Sequence, residues 1–507
     1  MIGSLGACKK SFDSLEADPN RATAVPANLI LNNVLGGVNK GAFNGTQRAN
    51  QFYACNYDYY GNNEYNWTGF SFGNYNILKN IVKMEQESTK SVPSPNPYTA
   101  LAKFLKAYYI YELTMNLGDV PVSEALKGLE NVTPKYDSQK DVFKAILTYL
   151  EDANTEMATV VTKNYVLAND FYYGNNLAKW QKAVNAFKLR VLIQLSNKET
   201  DADLNIKQKF ADVINNPTKY PLFASAADQM QFVYNSQYNK YSTNPDNFGF
   251  DATRYNMAAT YLNTLVSIQD PRTFFVAEPA AAKVAAGAAP NTYAAFNGAS
   301  SGEDLATMSK NAGLGQYSFI NRKRYYQTYT AENSIVVGYS EMCFNIAEAM
   351  NRGWITTGSA ETWYQNGIKA SLAFYGIKDG VNTVTFQKPG GGLFESVNYD
   401  VNFLYDTYYN QASVKYKGNT VDGRNQILLQ KYLAFYMNSG QEAYFNWRRT
   451  GVPTFLVGSG SGNSGRVALR YQYPSVERSI NKTNVEAAIT AQFGTLDDIN
   501  GKMWIIK

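Results

Sequence analysis

The sequence predicts an all-α protein: helix pairs forming a solenoid-like scaffold, with long aromatic-rich loops and little β structure. Three observations carry this. Several segments repeat apolar residues at helical period, two of them are joined by a short turn, and the stretches between lack any period yet hold many aromatic rings. The chain has 507 residues. That exceeds the ~250–300 at which single hydrophobic cores stop growing, so it forms either several domains or one extended, repeat-built body.

Taken in order, residues 9–50 are rich in Asn, Gly and Ala, have weak periodicity, and are expected to wrap the body. In "PYTALAKFLKAYYIYELTMNLGDVP", Leu101, Phe104, Leu105, Tyr108 and Tyr109 recur at i, i+3, i+4, i+7 and i+8, and Gly118 and Pro121 end the helix. Ser138 and Asp141 make a capping-box start for "DSQKDVFKAILTYLEDANTEM". A third helix fits 175–198. The clearest fits 334–352, where Tyr339, Met342, Cys343, Ile346, Ala347 and Met350 make one stripe and Glu341, Asn345 and Glu348 lie off it. After the turn "GWITTGSAE" a second helix carries Trp363, Tyr364, Ile368, Leu372 and Tyr375. Helix, tight turn and helix over about forty residues is the unit of tetratricopeptide-like solenoids. The repeat's diagnostic spacing of small and aromatic residues is absent, so this inference rests on shape. Another helix, 424–437, carries Ile427, Leu428, Tyr432 and Phe435. The last ends at "NWRRTGVP", where Gly451 and Pro453 stop it and Arg448 and Arg449 read as cations complementing its C-terminus.

Composition excludes several functions. Hydrophobic residues are 45% and charged residues 18%, a globular balance. A net charge of +5 without a basic tract argues against nucleic acid as a partner. There is no histidine. Ser-His-Asp and Cys-His catalysis, the usual zinc ligand sets and the commonest general base are therefore unavailable. No catalytic residue, metal or cofactor is expected, and a binding role gains. Cys8, Cys55 and Cys343 are too far apart for a CxxC motif; Cys343, on its helix stripe, reads as a small buried hydrophobe. Leu5-Gly6-Ala7-Cys8 has the form of the end of a bacterial lipoprotein signal, in which the Cys is acylated, but only "MIGS" precedes it. On the tetrapeptide alone, a lipid anchor and a chance match both stand. No stretch approaches the ~20 apolar residues of a membrane span.

The long non-periodic stretches are 51–76, 221–255, 277–332 and 380–420, and loops of this length are uncommon unless they do something. They concentrate the 39 tyrosines, as in "NYDYYGNNEYNW" at 56–67, "YNSQYNKYSTNPDNFGF" at 234–250 and "NYDVNFLYDTYYNQ" at 398–411. A pyranose presents a face of C–H groups to an aromatic ring, and its hydroxyls need the in-plane donors and acceptors that Asn, Asp and Gln supply. The candidate ligand-binding residues are therefore Tyr57, Tyr59, Tyr60 and Trp67, then Tyr238 and Tyr241, then Tyr405, Tyr408 and Tyr409. The plain alternative is that these rings pack the loops onto the helices or touch a partner protein.

Glu341 and Glu348 sit seven residues apart on one helix, about 10.5 Å. That is beyond the ~5–9.5 Å of glycosidase carboxyl pairs, and surface or interhelical ion pairs are the expected role. Asp119 reads as a turn former and Glu124 as a structural contact. Gly460, Gly462 and Gly465 have the G-x-G-x-x-G spacing but open no helix, so this is a flexible loop rather than a nucleotide site.

Several blocks together resemble the SusD/RagB family of outer-membrane nutrient-binding lipoproteins, in its SusD-like branch. They are "AKFLKAYYIYELTMNLGDVPVSEALKG" at 102–128, Asp270-Pro271-Arg272, "YSEMCFNIAEAMNRGW" at 339–354, "QKYLAFY…EAYFNWRRTGVP" at 430–453 and "RYQYPSVERSINKTN" at 470–484. Five blocks in family order span most of the chain after residue 100. The resemblance implies a helical fold on tetratricopeptide-like pairs, lipid-anchored through Cys8 on the cell surface of the outer membrane. It also implies a role as a lid over a SusC-like TonB-dependent transporter, capturing oligosaccharides, or in some branches peptides, for delivery to the barrel. Residues 1–7 would be the remnant of a signal and 8–507 one domain. Its scaffold would be mainly 97–215, 333–376 and 424–450, and its ligand-facing insertions 51–76, 221–332 and 380–420. The family's ligand-contacting loops vary, so no individual binding residue carries over. A helical-repeat protein–protein adaptor without small ligand, and a carboxylate-based glycan enzyme, are the competing classes.

Overall fold

The computed structural model describes residues 24–392 and 395–507; Cys8 and the 1–7 segment lie outside them. Helices dominate, in a stack that follows chain order. Helix α1 (Ala27–Gly36) packs on α2 (Gly73–Thr89), α2 on α3 (Pro97–Leu117), α3 on α4 (Gln139–Thr162) and α4 on α5 (Leu177–Gln194). Helix α5 then meets α8 (Tyr339–Asn351), which pairs with α9 (Ala360–Phe374) and α10 (Val421–Ala434). Short α6 (Ile206–Asn215), α7 (Ala259–Ser267), α11 (Glu442–Thr450) and α12 (Lys482–Phe493) fill the flanks.

Helix α3 shows why the sequence folds this way. Asn96 accepts from the Tyr98 and Thr99 backbone N–H groups, the Thr99 side chain accepts from the Asn96 N–H, and Pro97 starts the first turn. Nearly every residue of α3 is buried, as befits a helix with neighbours on both sides. In α4, Ser138 accepts from the Asp141 N–H at 3.2 Å and donates its hydroxyl to the Asp141 carboxylate at 2.6 Å. The α8–α9 pair approaches closely at Gly367, where a Cβ would stand 2.7 Å from the Phe344 ring.

Charges lock the stack from inside. Glu341 accepts two bonds from Arg190 of α5, at 2.7 and 2.5 Å. Glu348 accepts from Arg449 of α11, at 2.5 and 2.8 Å, and from Arg352 at 2.9 Å. Both carboxylates are buried. Burial alone would raise the Glu348 carboxyl, but Arg449 and Arg352 overcome it and hold it well below the usual range. Arg448 serves a different helix from the one expected: its guanidinium donates to the Met115 carbonyl at the end of α3 and to Leu469 O. The end of α11 is closed by Gly451, at φ 76, through its N–H to Trp447 O.

Several segments depart from the sequence reading. The helix expected over 334–352 begins at Tyr339; the β-branched run Ser334–Val337 is instead strand β4, antiparallel to β2 (Met230–Phe232). Within 51–76, Tyr53–Cys55 is strand β1, paired with β3 (Tyr255–Met257). Helices α1 and α2 occupy segments assigned no helix. The 380–420 stretch contains a hairpin, β5 (Gly380–Gln387) with β6 (Ser396–Phe403), in which Asn382, Val384 and Phe386 turn inward. The Gly460 loop is pinned, not free: its N–H donates to Gly302 O at 3.0 Å, and a Cβ would strike Glu303 O at 1.8 Å.

Asp119 joins the end of α3 to the start of α4, its carboxylate accepting the Gln139 N–H at 2.7 Å. Burial pushes this carboxyl up to about 6, from 3.8, against the opposing Gln139 bond. A carboxyl raised in the folded state holds its proton more tightly there, so its contribution is fully present below about 4 and is lost as pH rises through about 6. Asp119→Asn is expected to abolish this dependence. In urea denaturation, wild type should lose stability relative to the variant between pH 4 and 7; parallel curves would show that Asp119 titrates normally.

Candidate functional site

The loop after β1 is held by polar ties at its base. The Cys55 N–H donates to Asn63 Oδ1, and Asn63 Nδ2 donates back to Cys55 O, each at 2.9 Å. Arg48 reaches under the loop to donate to Asn62 O at 2.9 Å and to the Tyr53 hydroxyl at 2.8 Å. Gly61, at φ 134, sits on this guanidinium, where a Cβ would lie 2.3 Å away. Burial pushes the Cys55 thiol beneath the loop up to about 11, so it is not a nucleophile.

With its base fixed, the loop turns its rings outward on the short turn Asp58–Tyr60. Tyr59 is 82% exposed and Tyr57 51%. Tyr60, half-buried, meets Tyr59 edge-on at 5.1 Å and Tyr57 at 6.0 Å. The Arg254 guanidinium lies over the Tyr57 ring at 5.2 Å. Asp58, Asn62, Glu64 and Asn66 of the same loop are also exposed. Exposed rings, one with a guanidinium over it, on a loop that also exposes carboxylates and amides suit an apolar-faced, hydroxyl-rich ligand.

The other candidates divide by their surroundings. Trp67 lies flat on Tyr471 at 4.3 Å and edge-on to Tyr444, so it is half-buried packing rather than a free platform. Tyr238 is 86% exposed but has no aromatic neighbour among the described residues. Tyr241, three residues on, is in the core against Phe43, Tyr234 and Tyr325. Tyr408 and Tyr409 are buried too, their hydroxyls donating at 2.5 Å to Asp270 and Glu361. Tyr405 stacks on Tyr409 with Lys369 over its ring. Tyr241, Tyr408 and Tyr409 are therefore corrected to core residues: each ring is covered by long-range partners. The sequence reading missed Arg254 and Arg48, which no motif marks; Arg254 reaches Tyr57 only when 254–257 pairs with 53–56, and Arg48 acts only once the loop folds back over it.

Among the described residues no helix is long and apolar enough to cross a membrane. The chain belongs to the SusD/RagB family: the SusD-like family of starch-binding proteins associating with the outer membrane matches residues 19–474. A SusD homologue from Bacteroides fragilis is 28% identical, with a TM-score of 0.83 over 95% of this chain and 100% of its own. A second from that species is 30% identical, with a TM-score of 0.78 over 95% and 99%. A Bacteroides vulgatus protein assigned to the outer membrane, with a suggested role in nutrient binding, is 28% identical with a TM-score of 0.79 over 95% and 100%. No curated protein matches the sequence.

Proposed function

We propose that the protein is a cell-surface lipoprotein that captures oligosaccharides on the Tyr57–Tyr60 face and passes them to a SusC-like TonB-dependent transporter. The observation that carries this is the pairing of family membership with an exposed, rigidly based ring cluster. On this reading residues 8–507 are one SusD-like domain anchored through acylated Cys8, and the 51–76 loop faces ligand and transporter. The glycan form of the cargo is supported by the family's starch-binding description and by the exposed polar residues of the same loop.

The test is extraction of the protein in mild detergent from native outer membranes. Co-purification with a β-barrel transporter, together with an acyl mass on Cys8, is expected. A water-soluble monomer without acyl chain would sink the proposal and return the exposed rings to an adaptor surface.

A further inference from the structure

Arg190, Arg272, Arg322, Arg449 and Arg470 each hold a buried carboxylate. Arg254 differs from them. Its guanidinium makes no hydrogen bond or ion pair among the described residues and lies instead over the exposed ring of Tyr57. Its Nε is enclosed, whereas the two terminal nitrogens, equally without a protein partner, keep accessible surface. The carboxylates within reach by sequence are spent or turned away. Asp251 is buried and accepts the Tyr326 hydroxyl at 2.6 Å. On the loop, Glu64 accepts from Asn66 at 2.7 Å, and Asp58 pairs with no cation among the described residues. Arg48, under the same loop, donates to Asn62 O and the Tyr53 hydroxyl, and so adds a second positive charge without a carboxylate partner.

A guanidinium over an aromatic face is held by the ring's quadrupole and keeps its N–H edge for another group. A neutral sugar can offer that edge a hydroxyl, but it leaves the charge uncompensated. A carboxylate supplies the opposite charge and two parallel acceptors that match the fork. In a uronic acid the carboxylate projects from the edge of the pyranose, so stacking the ring on a tyrosine leaves it at the periphery, where a guanidinium beside the rings meets it. Tyr59, 82% exposed and 6.5 Å from Tyr57, offers the open stacking face.

We propose that the Tyr57–Tyr60 face selects acidic saccharides, binding a uronic acid unit by its ring on Tyr59 and Tyr57 and by its carboxylate on Arg254. This rests on the glycan reading above. The test is isothermal titration of the full chain with oligosaccharides of galacturonan, alginate and hyaluronan, with the methyl ester of the galacturonan oligosaccharide, and with neutral maltoheptaose and chitohexaose. Wild type is compared with Arg254→Gln and with Tyr57→Ala/Tyr59→Ala, at about 0.05 and 0.5 M salt. The expected result is that one uronate binds about tenfold or more tighter than every neutral saccharide. That advantage shrinks at high salt and is lost in Arg254→Gln with the thermal midpoint unchanged, while the tyrosine variant loses all saccharides alike. Should Arg254→Gln fail to fold, Arg254→Lys, which keeps the charge without the planar fork, decides by a reduced preference. Neutral saccharides bound as tightly as the uronates, or a uronate preference that survives the Arg254 variant, overturns this proposal and leaves the glycan reading standing. Binding of no saccharide by wild type overturns both.

Discussion

Asp270→Ala is expected to destabilise the folded protein by about 3–5 kcal/mol, the cost of breaking a buried ion pair from one side. Asp270 and Arg272 are fully buried. Arg272 donates to the two carboxylate oxygens through Nε at 2.9 Å and Nη2 at 2.6 Å, and its backbone N–H adds a bond at 3.0 Å. The guanidinium also donates to Ser371 of α9 at 2.9 Å and Gln430 of α10 at 2.8 Å. The Tyr408 hydroxyl closes the cluster on Asp270. Removing the carboxylate leaves a guanidinium in the core with no counter-charge, at the point where the segment after α7, α9, α10 and the 405–409 turn meet. Replacing both partners, Asp270→Leu with Arg272→Met, is expected to cost less than the single change, because no charge is then stranded. Urea denaturation of the three proteins measures this. A single variant within 1 kcal/mol of wild type, or a double variant worse than the single, would show that the cluster is not desolvated as its burial implies.

Tyr57→Ala/Tyr59→Ala is expected to weaken saccharide binding about 30-fold while leaving the thermal midpoint where it was. Ring contacts contribute ~0.5–1.5 kcal/mol each beyond area. Two of them near 1 kcal/mol amount to about 2 kcal/mol, and each 1.4 kcal/mol is tenfold. The midpoint should hold because Tyr59 has little protein around it and Tyr57 is half open, while the loop's anchors (Arg48, Asn63, Gly61) are untouched. Trp67→Ala should do the converse, lowering the midpoint, since its ring is stacked on Tyr471. Titration calorimetry with a binding saccharide and differential scanning calorimetry on each variant separate the two effects. A Tyr57/Tyr59 variant that melts early and binds normally would assign those rings to packing.

The helices were legible where one stripe and one stop signal coincide. The α3 segment has both, in Leu101 to Tyr109 and in Gly118, and its end falls where they place it. Helix α2, though packed against α1 and α3, fully buries only Leu78, Ile81 and Met84 of its apolar residues, with Lys, Asn, Gln and Glu among them, and its signal was correspondingly weak. The β5 strand does alternate, with Asn382, Val384 and Phe386 inward. A polar residue at the first inward position and the Gly-rich turn hid it. Strand β4 was absorbed into a helix because Ile335 and Val336, four and three residues before Tyr339, extend its helical stripe; its partner lies about a hundred residues earlier, and pairing at that distance leaves no local trace.

By itself, then, the sequence determined the helical scaffold, the family, the lack of histidine chemistry and the places where aromatic loops interrupt the helices. Each of these depends on local period, composition or an ordered set of blocks, and all three are properties of the chain read in one dimension. The tertiary structure alone decided which rings are free. Tyr238 and Tyr241 share a loop and a neighbourhood of Asn, Ser and Lys, yet one is in solvent and the other lies under Phe43 and Tyr325. It also decided that the Tyr408 hydroxyl is buried on Asp270 while Tyr59 stays open to solvent. Exposure is set by what arrives from elsewhere in the chain, and an aromatic residue has the same propensities whether a distant segment covers its face or leaves it open.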